Sequence, residues 1–282
     1  MFMLSPALQS IAALVTYNEI DDLAKVQRRA NQFAKTHRPE NVLVIFDLDN
    51  TLLAMNQPLG SDQWFNWQAG LLGSKNSKAV AHDFPGLLAI QHQLFKLGSM
   101  RPTQKNVAQI VREIQQRKFP TFVLTSRGPE YLLPTHRELR RNQLHFVNSL
   151  PHAQKLPQGI FFPDKTEDTP KPRPAQYSDG VLFISGQHKG ELLQQLLNKL
   201  SLSPKAIVFV DDHKKHNKRI SKTFRGSDMN VATFRYTSED ANVKKFEQQI
   251  PKVHQKWLRL KKILPVLNDL FPGRKYSVLP AQ

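Results

Sequence analysis

The chain of 282 residues contains no cysteine. That excludes disulfides, thiolate chemistry and cysteine zinc sites. It leaves the compartment open, because a cysteine-free chain suits oxidising and reducing surroundings alike. Acidic residues are scarce: 23 Asp and Glu stand against 40 Lys and Arg, for a net charge of +17. Such a surface favours anionic partners, whether nucleic acid, acidic membrane or a phosphorylated substrate, although a generic basic surface has the same composition. No apolar run is long enough to span a bilayer, so no transmembrane segment is expected. The opening stretch MFMLSPALQSIAALVTYNEI lacks a basic start and is interrupted by Ser5, Gln9 and Ser10. A strand entering the fold is therefore favoured over a secretory signal. The expected location is cytoplasmic, or exported without a clear signal peptide. No internal repeat is present. The hydrophobic content of 40% is enough for a packed core, and the length fits one large domain or a domain with an insertion.

Apolar runs alternate with helical patterns. IAALVT (11–16) reads as a short strand, and Leu23, Val26, Ala30 and Phe33 recur at helical spacing after it. NVLVIF (41–46) is nearly continuous, as in a strand buried on both faces. Three helices are expected between 58 and 118, with Gly73 and Gly98 as stops and Thr103 as an N-cap. PTFVLTSRG (120–128) is another buried strand, followed by a helix over 129–142 and a short strand near LHFVN. Residues 150–180 are rich in proline and polar residues and read as a loop or extended excursion. GVLFIS, a helix from Lys189, KAIVFVDDH (205–213) and NVATFRY complete the series. The tail over 239–270 reads as helical and basic, broken at Pro251 and Pro265. Strands alternating with helices predict an α/β fold, a Rossmann-like open and mostly parallel sheet, whose ligand site lies outside the carboxyl ends of the strands.

Three of those strand ends are polar. The first carries Asp47, Leu48, Asp49, Asn50 and Thr51; the second Thr125, Ser126 and Arg127; the third Asp211, Asp212 and His213. Lys189 opens the helix before the third strand. On one rim, such carboxylates repel one another unless a cation joins them, and oxygen donors without cysteine favour a hard ion such as Mg²⁺. A cation and a lysine would also offset the repulsion between a carboxylate nucleophile and a phosphate ester. Asp47 is then placed to attack phosphorus and form an acyl phosphate. Asp49 is placed to protonate the leaving oxygen and then to activate water. Thr125 and Ser126 offer hydroxyls to phosphate oxygens. Asn50 and Thr51 support the loop that aims the two aspartates.

These four segments resemble the motifs of the haloacid dehalogenase-like (HAD) superfamily. FDLDNTLL resembles its Asp-x-Asp-x-Thr motif, FVLTS its second, HKGELL its third and VFVDDHKKHN its fourth, in order over roughly residues 40–235. The first motif is specific by itself; the second and third gain weight only from their order. The resemblance implies a magnesium-dependent phosphatase with Asp47 as nucleophile and metal ligand. It implies Asp49 as acid/base, giving its backbone carbonyl to the metal. Thr125 and Lys189 would hold phosphoryl oxygens, and Asp212 would be the direct metal ligand with Asp211 behind it. Asn217 would support the fourth-motif loop. The second aspartate, Asp49, fits the phosphatase and phosphomutase branches rather than the dehalogenases. LGSDQWFNW further resembles a bacterial HAD-like family with members in intracellular pathogens described as secreted or outer-membrane proteins.

Thr125 follows Asp47 by 78 residues and Lys189 follows Thr125 by 64, which leaves room for a small helical cap but not for a large mixed one. The expected organisation is a core over 1–55 and 119–238, a helical insertion over 56–118 and a basic helical segment over 239–282 on or beside the core. Trp64, Phe65 and Trp67 are expected to pack a core rather than stack on substrate. Arg127 fits either a phosphate contact or a surface ion pair. His213 and His216 fit either a transition-metal site or solvated neighbours. The segment KVHQKWLRLKK fits a membrane-surface or nucleic-acid helix, or a docked helix with a solvated basic face. The alternatives to a phosphatase are a phosphotransferase or phosphomutase of the same fold, and a basic protein binding nucleic acid or acidic membrane on that scaffold.

Overall fold

The computed structural model describes residues 13–272. Its elements are β1 (Val15–Ile20), α1 (Ala24–His37), β2 (Val42–Phe46), β3 (Leu53–Met55), α2 (Asp62–Ala69), α3 (Phe84–Leu97), β4 (Met100–Pro102), α4 (Val107–Gln116), β5 (Thr121–Thr125), α5 (Leu132–Arg141), β6 (Ile160–Phe161), β7 (Ala175–Ser178), β8 (Val181–Phe183), α6 (Lys189–Leu200), β9 (Ala206–Asp211), α7 (Lys214–Thr223), β10 (Asn230–Tyr236) and α8 (Asp240–Leu270).

Eight strands form one sheet in the order β1-β10-β9-β2-β5-β8-β7-β6. Neighbours from β1 to β8 are parallel, and β7 and β6 add an antiparallel edge. Strand alternation explains why β2 is apolar throughout. Val42, Val44 and Phe46 join a cluster with α1, α4 and α5 on one face, while Leu43 and Ile45 join α6 and α7 on the other. This is an α/β, Rossmann-like fold. From β2 the chain moves outward to β5 and β8, then returns through α6 to β9 on the opposite side of β2. The carboxyl ends of β2 and β9 therefore flank the point where the strand order reverses, the place such sheets reserve for ligands.

The short antiparallel pair β3–β4 closes the stem of an insertion over residues 56–99. The expected insertion reached residue 118, but α4 buries Val107, Ile110, Val111 and Ile114 in the main core and belongs to it. A third apolar cluster joins the insertion to the C-terminal helix: Trp64, Leu87, Ile90 and Leu94 meet Phe246, Val253, Trp257 and Leu264. The basic tail thus packs on the insertion. Pro251 and Pro265 lie inside α8 and do not break it. A proline removes one helical hydrogen bond and strains one turn, and burial of four large side chains on one stripe outweighs that here.

Four other expectations shift. The strand read at 11–16 is found at Val15–Ile20, where an edge position tolerates polar residues; the choice between strand and secretory signal for residues 1–12 lies outside the described residues. LHFVN forms no strand, because Gln143 just before it and Asn148 at its end, both at positive φ, turn the chain. The proline-rich excursion contains β6 and β7. The β7–β8 hairpin turns at Asp179 and Gly180, both at positive φ, as an Asp-Gly turn requires. Thr103 is not the cap of α4, whose N-cap is Asn106. Its hydroxyl instead donates to the carbonyl of Thr51 at 2.6 Å and ties the stem to the loop after β2.

Candidate active site

Phe46 is the last residue of β2 and pairs with Val123 of β5 and Val210 of β9, so the three strands end within two residues of one another. Beyond Phe46 the chain turns tightly. Leu52 N and Leu53 N both donate to the Leu48 carbonyl at 3.0 Å, and Asn50 adopts φ 54°, a left-handed conformation that Asn tolerates better than most residues. This turn takes Asp47 and Asp49 off the strand's alternation and places them differently.

Asp47 faces the crevice between β2 and β9. Lys189 Nζ lies 2.5 Å from Asp47 Oδ1 and 2.6 Å from Asp211 Oδ2, and all three residues are buried. Thr51 Oγ1 donates to Asp47 Oδ2 at 3.2 Å and accepts from Asp212 N at 3.1 Å, linking the two strand ends through one hydroxyl. Asp211 Oδ1 also accepts from His213 N at 2.8 Å. Asn217 is fully buried and donates to the carbonyls of Asp211 (2.9 Å) and His213 (3.1 Å), bracing that loop. Asp211 is thus enclosed, whereas Asp212 Oδ2 is held only loosely, by a long 3.5 Å contact from Asn50 and by His213 Nε2 at 3.8 Å.

Lys189 reaches the rim because α6 starts there. His188 caps the helix by accepting from Glu191 N at 3.1 Å. Gly190 permits α6 to lie close on α7: a Cβ on it would meet the Arg219 carbonyl oxygen at 2.8 Å and crowd the Thr223 hydroxyl.

Burial and charge act against each other in this cluster. Burial drives the Asp47 carboxyl up to about 7, against the pull of Lys189. Burial also raises Asp212 well above the usual carboxylate range. Asp211 is buried too, but the Lys189 ammonium outweighs that and holds it low. Burial opposes the charge on Lys189, yet Asp211 and Asp47 keep its proton on and raise it. Asp47, Asp211 and Asp212 offer carboxylate oxygens within 4.8 Å of one another. Three carboxylates and one ammonium leave a net negative charge in a water-poor place. A hard divalent cation fits that donor set, since it would favour the ionised forms that burial now opposes.

Asp49 does not join this cluster. Arg127 grips it in a bidentate pair, Nε to Oδ2 at 2.9 Å and Nη2 to Oδ1 at 2.8 Å. The guanidinium is buried, donates to Thr135 Oγ1 at 2.7 Å and stacks on the Phe95 ring at 4.0 Å. It is therefore not a surface ion pair. Thr125 is buried, and its Oγ1 accepts from Arg127 N at 3.2 Å. Ser126 Oγ is buried without a hydrogen-bond partner. Ser126 lines a cavity of about 410 Å³ between core and insertion, together with Asp49, Arg127, Phe65, Phe84 and Arg173. His213 does not act as a simple solvated neighbour. Its Nε2 lies 3.6 Å from Asp62 Oδ2 of the insertion, and that contact raises its pKa to about 10. Burial lowers His216 to about 3.

The rim thus brings together Asp47, Thr51, Lys189, Asp211, Asp212 and Asn217, with Asp49, Thr125 and Ser126 beside it. The Arg127–Asp49 pair, the Asp62–His213 contact and Arg173 were missed, since no spacing in the sequence links them. Trp64 and Trp67 pack in the insertion cluster, Trp67 against Phe246 with ring centroids 6.0 Å apart. Phe65 differs by also lining the cavity.

Among the described residues, no helix is long and apolar enough to cross a membrane. The chain is similar to three chlamydial proteins, each described as "Putative outer membrane protein". The protein from Chlamydia pneumoniae is 29% identical over 185 residues, 64% of this chain and 63% of the relative. That from Chlamydia trachomatis is 25% identical over 202 residues, 70% of each chain. That from Chlamydia muridarum is 27% identical over 186 residues, 64% of each. The chain therefore spans somewhat under two thirds of the length of two of these relatives. The sequence model of the family described as "Protein of unknown function (DUF2608)" matches residues 18–269, nearly the whole chain, and the protein belongs to that family.

Proposed function

We propose that this protein is a magnesium-dependent phosphatase of the haloacid dehalogenase-like type, hydrolysing a phosphate monoester through an aspartyl-phosphate on Asp47. The observation that carries this reading is the junction of Asp47, Lys189 and the Asp211–Asp212 pair at the reversal point of the sheet. Asp47 and Asp212 would hold the ion, with the Asp49 carbonyl as the resemblance implies, and the ion supplies positive charge against the phosphoryl oxygens. Asp211 is committed to Lys189 and the backbone, which supports Asp212 as the ligand.

Asp47 attacks phosphorus, forming an Oδ–P bond as the ester P–O bond breaks, and Asp49 gives its proton to the leaving oxygen. Water then attacks the acyl phosphate, and Asp49 takes the proton from that water. Lys189 offsets the charge between nucleophile and phosphoryl group, and Ser126 has a hydroxyl free for a phosphoryl oxygen. Both carboxylate oxygens of Asp49 face Arg127, so the acid step requires that pair to part when substrate enters. Arg127 is a positioning residue in this scheme.

The test is phosphate release from a panel of sugar phosphates, nucleotides, phosphopeptides, phosphoinositides and aryl phosphates, with Mg²⁺ or with chelator. Release is expected with Mg²⁺ and not with chelator, and Asp47→Asn abolishes it. Full activity in that variant, or no release from any ester, overturns the reading. Transfer to an added alcohol in preference to water would make the same rim a phosphotransferase.

A second reading is favoured by α8. Leu258, Ile263 and Val266 are about half exposed among Lys252, Lys256, Arg259, Lys261 and Lys262, a mixture suited to an anionic membrane surface. The descriptions of the relatives fit an exported location for such a protein. Sedimentation with acidic vesicles that weakens steeply with salt supports it; equal binding to neutral vesicles, or binding to nucleic acid alone, overturns it.

A further inference from the structure

The cavity beside the rim, which Asp49 and Ser126 help to line, has two unlike walls. The core side presents Ser126, Arg127 and Arg173. Arg173 is set there deliberately by its backbone: its N–H donates to Gln187 Oε1 at 2.8 Å and its carbonyl accepts from Gln187 Nε2 at 2.9 Å, with Gln187 buried. Its guanidinium has no ion-pair partner among the described residues. The facing side is aromatic, with Phe65, Phe84 and Phe95 from the insertion and Tyr131 from the core, and two of these four rings are committed. The Phe95 face carries the Arg127 guanidinium at 4.0 Å, and the Tyr131 hydroxyl is spent on Leu88 O and Gln91 Oε1 at 3.1 Å each.

Phe65 and Phe84 are not committed in that way. They meet edge to face at 5.8 Å, and Phe84 remains 45% exposed although an apolar cluster lies close by. Phe84 is the first residue of α3, whose start is fixed by Asp83 accepting from Gly86 N at 2.8 Å. Asp62 and Glu130 also line the cavity and disfavour a second negative charge there. The walls call for a ligand that is anionic at one end, and flat, apolar and uncharged at the other.

We propose that the substrate is a phosphate monoester whose alcohol part bears an uncharged aromatic ring, seated on Phe65 and Phe84, with Arg173 drawing the anion in. This rests on the phosphatase reading for its chemistry. A small aliphatic ester would leave Phe84 facing water and gain nothing from either ring.

Binding tests it without turnover. Calorimetry with the full chain in Mg²⁺ would compare benzylphosphonate with propylphosphonate. On Asp47→Asn it would compare adenosine 5′-monophosphate with ribose 5-phosphate. A ring packed on two aromatics predicts about three- to tenfold tighter binding of the ring-bearing ligand in at least one pair. Phe84→Ala removes that preference while leaving the ringless ligand unchanged; Phe84 is exposed enough for the variant to fold. Arg173→Gln weakens all of these ligands alike. Preference in the first pair marks an aryl ester, and in the second a nucleotide. Equal affinities within both pairs, or a preference untouched by Phe84→Ala, overturn the proposal. A protein that prefers benzylphosphonate yet hydrolyses no ester keeps the aromatic subsite on Phe65 and Phe84 and loses the phosphatase reading. One that hydrolyses esters but binds the two members of each pair equally does the reverse.

Discussion

On the rim, Lys189, Asp47 and Asp211 lie 2.5 and 2.6 Å apart and are sealed from water, whereas across the cavity Phe65 and Phe84 touch only by their edges and Phe84 is 45% exposed. The rim is a closed account of charge: each group is tolerable only because its neighbours are present. The wall is made of apolar contacts that can be changed one at a time. A fold built this way can alter which molecule it accepts by substitution in the insertion, while the reacting groups beneath stay as they are.

The largest effect on stability is expected where the rim is broken. Lys189→Ala leaves the buried carboxylates of Asp47 and Asp211 without their ammonium, and urea unfolding should register a loss of about 3–5 kcal/mol. Phe84→Ala should change stability by about 0.5 kcal/mol or less, as for exposed positions generally. Comparable losses in the two variants would erase the contrast. Gly190→Ala comes next. The added methyl presses on the Arg219 carbonyl and the Thr223 hydroxyl, so about 1–3 kcal/mol is expected, with activity falling as Lys189 shifts. Wild-type stability and activity in that variant would show that α6 has slack.

Arg127→Lys sharpens the comparison from the other side, because it keeps the charge but loses the bidentate grip on Asp49. Charged hydrogen bonds are worth about 1.5–3 kcal/mol. Turnover should fall roughly ten- to hundredfold, most for esters with poor leaving groups. An equal loss across leaving groups would place Arg127 outside the proton-transfer step.

The smallest effect is electrostatic. His213 is raised to about 10, chiefly by the Asp62 carboxylate 3.6 Å from its Nε2. A raised histidine contributes stability that is fully present below its unfolded value, about 6.5, and is lost as pH rises through about 10. In Asp62→Asn, the NMR titration midpoint of His213 should fall toward the ordinary value. An unmoved midpoint would mean that Asp212 alone holds the proton.

What the sequence made legible follows the same division. Asp47, Lys189 and Asp211–Asp212 were readable because apolar strands of a parallel sheet end on one rim, and polar residues there have few other reasons to occur. The Arg127–Asp49 pair was not, since 78 residues separate the two and the guanidinium is oriented by Phe95 of the insertion. Thr103 read as a helix cap for lack of any local sign that its partner would be the Thr51 carbonyl. Pro251 and Pro265 read as breaks by local rule, and the contacts that overrule them come from the insertion, far away in sequence. The Asp179–Gly180 hairpin carried a local signal, but the proline-rich stretch before it obscured the strand it closes.

The central claim is that Asp47 becomes covalently phosphorylated. The direct measurement is acid quenching during turnover of an aryl phosphate with Mg²⁺, followed by mass spectrometry of the peptide spanning VIFDLDNTLL. The account predicts a phosphoryl group on Asp47 in the wild type and none in Asp47→Asn. Phosphorylation at another residue, or turnover that persists in Asp47→Asn, would contradict it.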